Sequence, residues 1–202
     1  PLQRHNVVRA VVSGEDWDTV QRWKRHDPAR IIGSFAVDDP KDFPLDRFRR
    51  EHGAGWLKVL GEFGPQYEGY APGDPALEPV FALAEGLDVP VGFDMHTGPA
   101  GANYDFGMPK MRVANGRPLL LEPVLQRHPR MRVYVMHAGY PFVDEMIAIL
   151  YAHPQVYVDI GVIDWTRPRA EFHRYLQRLV DAGCRRRVLF WCAPTGWGGA
   201  GR

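Results

Sequence analysis

The sequence predicts an α/β fold built around a parallel β-sheet. Apolar, β-branched runs alternate with segments of helical periodicity along the chain, and this alternation is the pattern of consecutive βα units. Two of the apolar runs lead into a histidine and then a glycine turn, His96 before Gly98 and His137 before Gly139. Because α/β proteins place functional side chains at the carboxyl ends of parallel strands, we interpret both histidines as functional rather than packing residues.

Seven strands are predicted, each from a short run rich in aliphatic and aromatic residues. They cover residues 7–12, 31–37, 56–60, 89–95, 132–136, 156–160 and 188–191. Seven strands are one short of a (β/α)₈ barrel, and the 202 residues of the chain are fewer than the roughly 250 typical of that fold. The chain is therefore predicted to be a single, incomplete barrel domain over residues 1–202.

Six helices are predicted between these strands, over residues 16–25, 45–52, 79–87, 118–128, 142–152 and 169–182. Asp16, Asp46 and Thr166 are predicted start signals, because their side-chain oxygens can accept the first free amide hydrogens of a helix. Pro123 is expected to kink or restart the fourth helix, since proline lacks an amide hydrogen. The two long connections, residues 63–78 and 97–117, follow strand ends and are therefore candidate pocket walls or lids.

The composition limits the choice of partners. Lysine and arginine number 25 and aspartate and glutamate 24, so no overall field attracts nucleic acid or an anionic membrane surface. No apolar run approaches the roughly 20 residues that span a bilayer, and no signal peptide is recognisable. Cys184 and Cys192 lack the spacing of a metal or disulfide motif. We expect a cytoplasmic protein with a small-molecule substrate, and Pro1 suggests that the natural amino terminus lies upstream.

Polar side chains end four of the predicted strands. These residues are Glu62, His96, His137 and Asp159, and such convergence is typical of a catalytic rim. Imidazole can ligate zinc, manganese or iron, or it can act as a base. Each histidine alone is equally consistent with a hydrogen-bonded strand end, but two on consecutive strands favour one shared site. The two carboxylates can also cap a turn or pair with a lysine such as Lys58.

Aromatic residues follow several strand ends and are candidate substrate contacts. Tyr67, Tyr104, Tyr140 and Trp165 could stack on a planar substrate. Their alternative role is to cover the core as ordinary loop aromatics. Asp159 is the further candidate for substrate binding, because it lies near the end of its strand.

Several segments resemble the amidohydrolase-related branch of the amidohydrolase superfamily. They are GEFGPQY (61–67), LAEGLDVPVG (83–92), HTG (96–98), MHAGYP (136–141) and YAHPQVYVDI (151–160), and the likeness runs from about residue 7 to residue 190. The resemblance implies a metal-dependent (β/α)₈ barrel that hydrolyses amide, ester or lactone bonds, or one that decarboxylates aromatic or conjugated acids. It also implies that His96 ligates a divalent metal, with zinc expected first and manganese or iron as alternatives. His137 and Glu62 are the expected catalytic residues, His137 beside the water or the substrate.

Two departures from this family bear on activity. The HxH pair of metal ligands on the family's first strand has no counterpart, because the chain begins at what resembles the second strand. The family expects an aspartate on its eighth strand, where this chain has Ala193. We therefore expect the first strand to be missing, the last to be degenerate and residues 191–202 to form a divergent tail, as a frameshift or gene-fragment end would produce. A chain with only two nitrogen donors should bind metal weakly and be impaired.

Three functions remain open from the sequence. A hydrolase acting on a carbonyl-type bond is preferred, and a non-oxidative decarboxylase is the first alternative. The second alternative is a non-catalytic barrel that serves binding or homo-oligomerisation, since an incomplete sheet could be completed by another chain. A doubly wound nucleotide-binding fold is disfavoured, because no glycine-rich phosphate motif follows a strand.

Overall fold

The computed structural model describes residues 3–14 and 16–190. Its seven strands form one parallel sheet in chain order: β1 (Ala10–Gly14), β2 (Ile31–Val37), β3 (Leu57–Phe63), β4 (Val91–Asp94), β5 (Val133–Met136), β6 (Val156–Asp159) and β7 (Val188–Leu189). The predicted α/β class and incomplete TIM-type barrel are thus confirmed. β1 and β7 are the two ends of the sheet, and each pairs on one side only within the described residues.

Helices connect the strands and pack against one face of the sheet. They are α1 (Trp17–His26), α2 (Leu45–Gly53), α3 (Glu78–Gly86), α4 (Glu122–Arg127), α5 (Val143–Ala152), α6 (Ile163–Thr166) and α7 (Arg169–Leu179). No helix in this part of the chain is both long and apolar enough to cross a bilayer. The fourth helix restarts at Pro123 as predicted, because a 3₁₀ turn over Pro118–Leu121 precedes α4.

One of the three predicted start signals is confirmed. The Asp16 carboxylate accepts hydrogen bonds from the amides of Asp18 and Thr19, at 3.2 and 3.0 Å, and caps α1. Asp46 was the wrong residue, since it lies inside the first turn of α2 after Pro44. Thr166 was also wrong, because it ends α6, whereas α7 begins after Pro168. An acidic side chain within a first turn still interacts favourably with the helix dipole, so composition alone does not fix the cap.

Six of the seven strands differ from the prediction at one or both ends, and β3 continues to Phe63, past its predicted end at residue 60. β1 begins at Ala10 and not at residue 7, because its ladder starts only where β2 begins, with Ala10 paired to Ile31. β4 ends at Asp94, so His96 lies in the turn after the strand. β7 contains only Val188–Leu189, and Trp191, the predicted end of this strand, lies outside the described residues.

The alternation of side chains along the strands places core residues on one face of the sheet and residues of the candidate site on the other. Val91 and Phe93 of β4 point toward the helices, and Phe93 packs on Phe63 and Phe81 with ring centroids 5.5 and 5.9 Å apart. Successive side chains of a strand point to opposite faces, so Asp94 faces the inner side of the curved sheet. Asp159 of β6 lies on the inner side for the same reason. The inner carboxyl end of the sheet is therefore polar, and the outer face is the hydrophobic core.

Candidate metal centre

Asp94, His96 and His137 form one compact cluster at the carboxyl end of the sheet. β4 ends at Asp94, which is paired with Met136 of β5, and His137 directly follows Met136. One ligand atom from each of the three side chains lies within 4.8 Å of the others. The two imidazole centroids are 4.4 Å apart, so the structure brings together the two histidines that the sequence singled out.

Asp94 is the central group of this cluster. Its Oδ1 lies 3.1 Å from Nε2 of His96 and 3.5 Å from Nε2 of His137. The carboxylate is fully buried, and neither oxygen has a hydrogen-bond partner of normal geometry within the described residues. Burial alone would raise the pKa of Asp94, but the two imidazoles outweigh it and lower the pKa to about 2. A buried anion whose oxygens make no hydrogen bond of normal geometry is rare in proteins and requires an explanation.

His137 presents an electron pair to that anion. Its Nδ1 lies 2.9 Å from the carbonyl oxygen of Gly161, and a carbonyl only accepts, so Nδ1 carries the hydrogen. Burial lowers the pKa of His137 to about 4, so the ring is neutral at pH 7 and its Nε2 is unprotonated. Two electron-rich atoms, Nε2 of His137 and Oδ1 of Asp94, therefore face each other at 3.5 Å. A cation between them would make this approach favourable.

His96 has the opposite arrangement of hydrogens. The amide of Gly98 donates to its Nδ1 at 3.1 Å, and its Nε2 lies 2.9 Å from the hydroxyl of Tyr67. Since Nδ1 accepts, the ring hydrogen is on Nε2, which lies close both to the Tyr67 hydroxyl and, at 3.1 Å, to Oδ1 of Asp94. Binding a cation at Nε2 would move this hydrogen to Nδ1, so the Gly98 amide would have to turn away. His96 is therefore part of the cluster, but its Nε2 can bind a cation only after that hydrogen has moved to Nδ1.

Glu62 and Asp159 lie close to the cluster in different ways. Burial contributes most to raising the pKa of Glu62, and the carboxylates of Asp94 and Asp38 raise it further, to about 9. Asp159 is only 1% exposed, and its Oδ1 accepts the amides of Gly161 at 2.9 Å and His137 at 3.4 Å. Burial raises the pKa of Asp159 to about 7. Glu62 lies beside Asp94, whereas Asp159 lies behind the backbone of His137.

The four candidate aromatic residues occupy different environments. Tyr67 is buried and hydrogen-bonded to His96. Tyr140 packs on Tyr175 with centroids 5.1 Å apart, and Arg167 lies 5.5 Å from its ring centroid. Tyr104 and Trp165 are 89% and 50% exposed. The structure brings only Tyr67 into contact with the cluster, and substrate binding by the other three stays a prediction.

Asp94 is the residue that the sequence prediction missed. Its spacing from His96, Asp-x-His, was available in the sequence, and residues two apart on a strand share a face. Ala193, the residue at the expected position of the family's last aspartate, lies outside the described residues.

The residues present fit a divalent cation. Carboxylate oxygen and imidazole nitrogen together suit zinc, manganese or iron. The observation that supports the fit is the buried carboxylate of Asp94, which lacks a hydrogen bond of normal geometry among the described residues and faces Nε2 of His137. His96 would complete three protein donors after its hydrogen has moved.

Fold and cluster together define a TIM-barrel protein with a candidate metal centre at the carboxyl ends of its strands. A family model described as amidohydrolase matches residues 2–190. The chain therefore belongs to the amidohydrolase family, which confirms the resemblance carried by its motifs. No curated protein matches the chain.

Solved structures support the same fold. An uncharacterised TIM-barrel protein from Bordetella bronchiseptica is 17% identical with a TM-score of 0.71, and the match covers 95% of this chain and 67% of that one. A probable 2-pyrone-4,6-dicarboxylic acid hydrolase from Acinetobacter baumannii is 12% identical with a TM-score of 0.69, covering 96% and 71%. A 5-carboxyvanillate decarboxylase from Novosphingobium aromaticivorans, complexed with manganese, is 15% identical with a TM-score of 0.61, covering 89% and 58%. At these identities the likeness concerns the fold.

Proposed function

We propose that this protein is a metal-dependent hydrolase that acts on a carbonyl-type bond in an amide, ester or lactone. The observation that carries the proposal is the convergence of Asp94 Oδ1 and His137 Nε2 at 3.5 Å, with His96 Nε2 3.1 Å from the same oxygen. The sequence alone offers two nitrogen donors and therefore suggests weak metal binding. Asp94 adds an anionic third donor, which supports a functional centre in the chain itself.

Asp94, His137 and His96 would hold the cation. When bound, a divalent metal polarises a carbonyl oxygen and lowers the pKa of a water molecule. Glu62, whose carboxyl lies beside Asp94 and whose raised pKa of about 9 keeps it protonated at neutral pH, would donate its proton to the leaving group. Tyr67 would bind substrate from the wall of the site, since its hydroxyl already reaches His96. Tyr104, Tyr140 and Trp165 are proposed as outer contacts of a planar substrate.

A non-oxidative decarboxylase is the second candidate. The observation that favours it is the structural likeness to 5-carboxyvanillate decarboxylase with manganese, which also makes manganese as strong a candidate as zinc. In such a reaction Glu62 would deliver its proton to carbon instead of to a leaving oxygen or nitrogen. Carbon dioxide would be released, and no water would be consumed.

One experiment separates these functions. The purified chain is equilibrated with zinc or with manganese, freed of excess metal and analysed for bound metal. It is then assayed on a panel of esters, lactones, amides and aromatic carboxylic acids. Bound metal with hydrolysis of a neutral carbonyl compound supports the proposal, whereas release of carbon dioxide assigns the decarboxylase. Bound metal without either reaction identifies a non-catalytic metal-binding barrel, and failure to bind both metals overturns the metal-dependent function.

A further inference from the structure

The turn that carries His137 has an unusual backbone. His137, Ala138 and Gly139 are all left-handed, with φ of 57°, 50° and 66°. Residues with a β-carbon rarely adopt this conformation, and two such residues in succession persist only where surrounding contacts impose them. The turn directly follows β5 and sets the position of the imidazole beside Asp94. The contacts that hold this turn therefore determine the geometry of the candidate metal centre.

Asp159 and Gly161 supply two of those contacts, and a third hydrogen bond joins these two residues to each other. Oδ1 of Asp159 accepts the backbone amide of His137 at 3.4 Å and the amide of Gly161 at 2.9 Å. The carbonyl oxygen of the same Gly161 accepts the hydrogen on Nδ1 of His137 at 2.9 Å. One carboxylate oxygen thus binds the backbone of His137 directly and positions the group that receives its ring hydrogen.

We infer that Asp159 is a positioning residue that holds His137 in its left-handed turn with the hydrogen on Nδ1. In this role Asp159 does not touch substrate, because its side chain is 1% exposed and lies behind the histidine. The consequence is that Nε2 of His137 stays unprotonated and aimed at Asp94. Outer contacts of this kind fix the orientation and tautomer of metal-binding histidines in general. The link to metal binding rests on the proposed function, whereas the tautomer can be measured without a metal.

The alternative role of Asp159 is local, with its carboxylate stabilising only the turn that follows β6. The bond from its Oδ1 to the amide two residues ahead has the form of an Asx turn, which occurs in many loops. A residue with that local role would leave the hydrogen positions of His137 unchanged when replaced. The tautomer of His137 is therefore the measurement that separates positioning from local capping.

The test uses histidine labelled with ¹⁵N in the metal-free chain, because the nitrogen chemical shifts show which ring nitrogen carries the hydrogen. Wild type should give His137 with the hydrogen on Nδ1. Asp159→Asn keeps an acceptor oxygen in the same place and should preserve this tautomer. Asp159→Ala removes the acceptor, so a second tautomer should become populated. Asp164→Asn, which alters the nearby carboxylate in α6, should behave like wild type.

Metal affinity is the second measurement. Zinc and manganese affinities should fall about 10- to 100-fold in Asp159→Ala, as is typical when an outer contact of a metal-binding histidine is lost. They should be unchanged in Asp159→Asn and Asp164→Asn. If wild type binds neither metal but shows the Nδ1 hydrogen and its loss in Asp159→Ala, the proposed function fails while the positioning role stands.

Two results would overturn the positioning role. One is a folded wild-type chain in which Nε2 of His137 carries the hydrogen. The other is a folded Asp159→Ala chain with an unchanged tautomer. If circular dichroism shows that the alanine variant does not fold, Asp159→Leu replaces it, because leucine fills a similar volume without an acceptor.

Discussion

At the residue scale, the sequence predicted that the two histidines would share a site, but it did not predict the groups that hydrogen-bond to their rings. Strand-end histidines are visible as an apolar run followed by His and Gly, and the structure places His96 and His137 with centroids 4.4 Å apart. Which nitrogen carries the hydrogen depends on the backbone groups of Gly98 and Gly161. Those groups approach only in the folded chain. Asp94 was readable as an i, i+2 neighbour, but its burial without partners could come only from the structure.

Asp94→Asn tests the role of the central carboxylate. The amide is neutral and similar in shape, so zinc and manganese affinity should fall at least about tenfold, the lower end of the losses seen even for outer contacts of metal ligands. Isothermal titration of the variant against wild type measures the change. Asp144→Asn, at an exposed carboxylate paired with Arg178 on the outer surface, is the control and should bind metal normally. Equal affinity in Asp94→Asn would exclude Asp94 as a ligand.

At the scale of elements, the positions of the helices were predictable from hydrophobic periodicity and from proline. The position of the long loop after β4 was also predictable, but its packing against the site was not. The loop over residues 97–117 packs closely on the site. A β-carbon on Gly116 would lie 2.1 Å from the carbonyl oxygen of His96 and 3.0 Å from the side chain of Gln66. Such an approach follows from tertiary packing, so it has no signal in the sequence beyond the glycine itself. The loop and His96 are therefore mechanically linked.

Gly116→Ala should destabilise the chain. The added methyl group meets backbone, which cannot rotate away, so a loss of about 1 to 3 kcal/mol in unfolding free energy is expected for this overpacking. Urea unfolding followed by circular dichroism gives the value. Gly73→Ala is the matched control, because nothing lies within 4 Å of the β-carbon it would add. A Gly116→Ala chain as stable as wild type would show that the loop does not hold His96 so closely.

Metal binding should rearrange the start of the same loop. His96 can offer Nε2 only if its hydrogen moves to Nδ1, where the Gly98 amide now donates at 3.1 Å. Hydrogen exchange of the Gly98 amide should therefore become faster on saturation with zinc or manganese, because the amide loses its acceptor on His96. Exchange in helix α3, on the outer layer, serves as the internal reference. An unchanged rate at Gly98 with metal bound would mean that His96 is not a ligand.

At the scale of the molecule, the sheet has two ends within the described residues. β1 and β7 are the terminal strands, and unpaired strand edges invite pairing with another chain. The amide of Ala10 donates to Arg30, so by alternation the amide of Val12 also faces β2, while that of Val11 faces outward. Strand order was predictable because each βα unit lies beside the previous one. Self-association remains a proposal.

Val11→Pro tests that proposal. Proline removes an outward amide and is tolerated on edge strands, so concentration-dependent association of the wild-type chain should decrease while the fold is kept. Val12→Pro is the contrasting variant, because it removes an amide that faces β2 and should destabilise the sheet. Sedimentation velocity over a range of protein concentrations gives the association state. A wild-type chain that is monomeric throughout, or a Val11→Pro chain that associates equally, would exclude pairing through this edge.

The hydroxyl of Tyr175 on α7 donates to the carbonyl oxygen of Ala138 at 2.8 Å. This hydrogen bond connects the outer helical layer to the turn that contains His137. A displacement of α7 would therefore be transmitted through this hydrogen bond to the backbone beside His137, in the candidate metal centre.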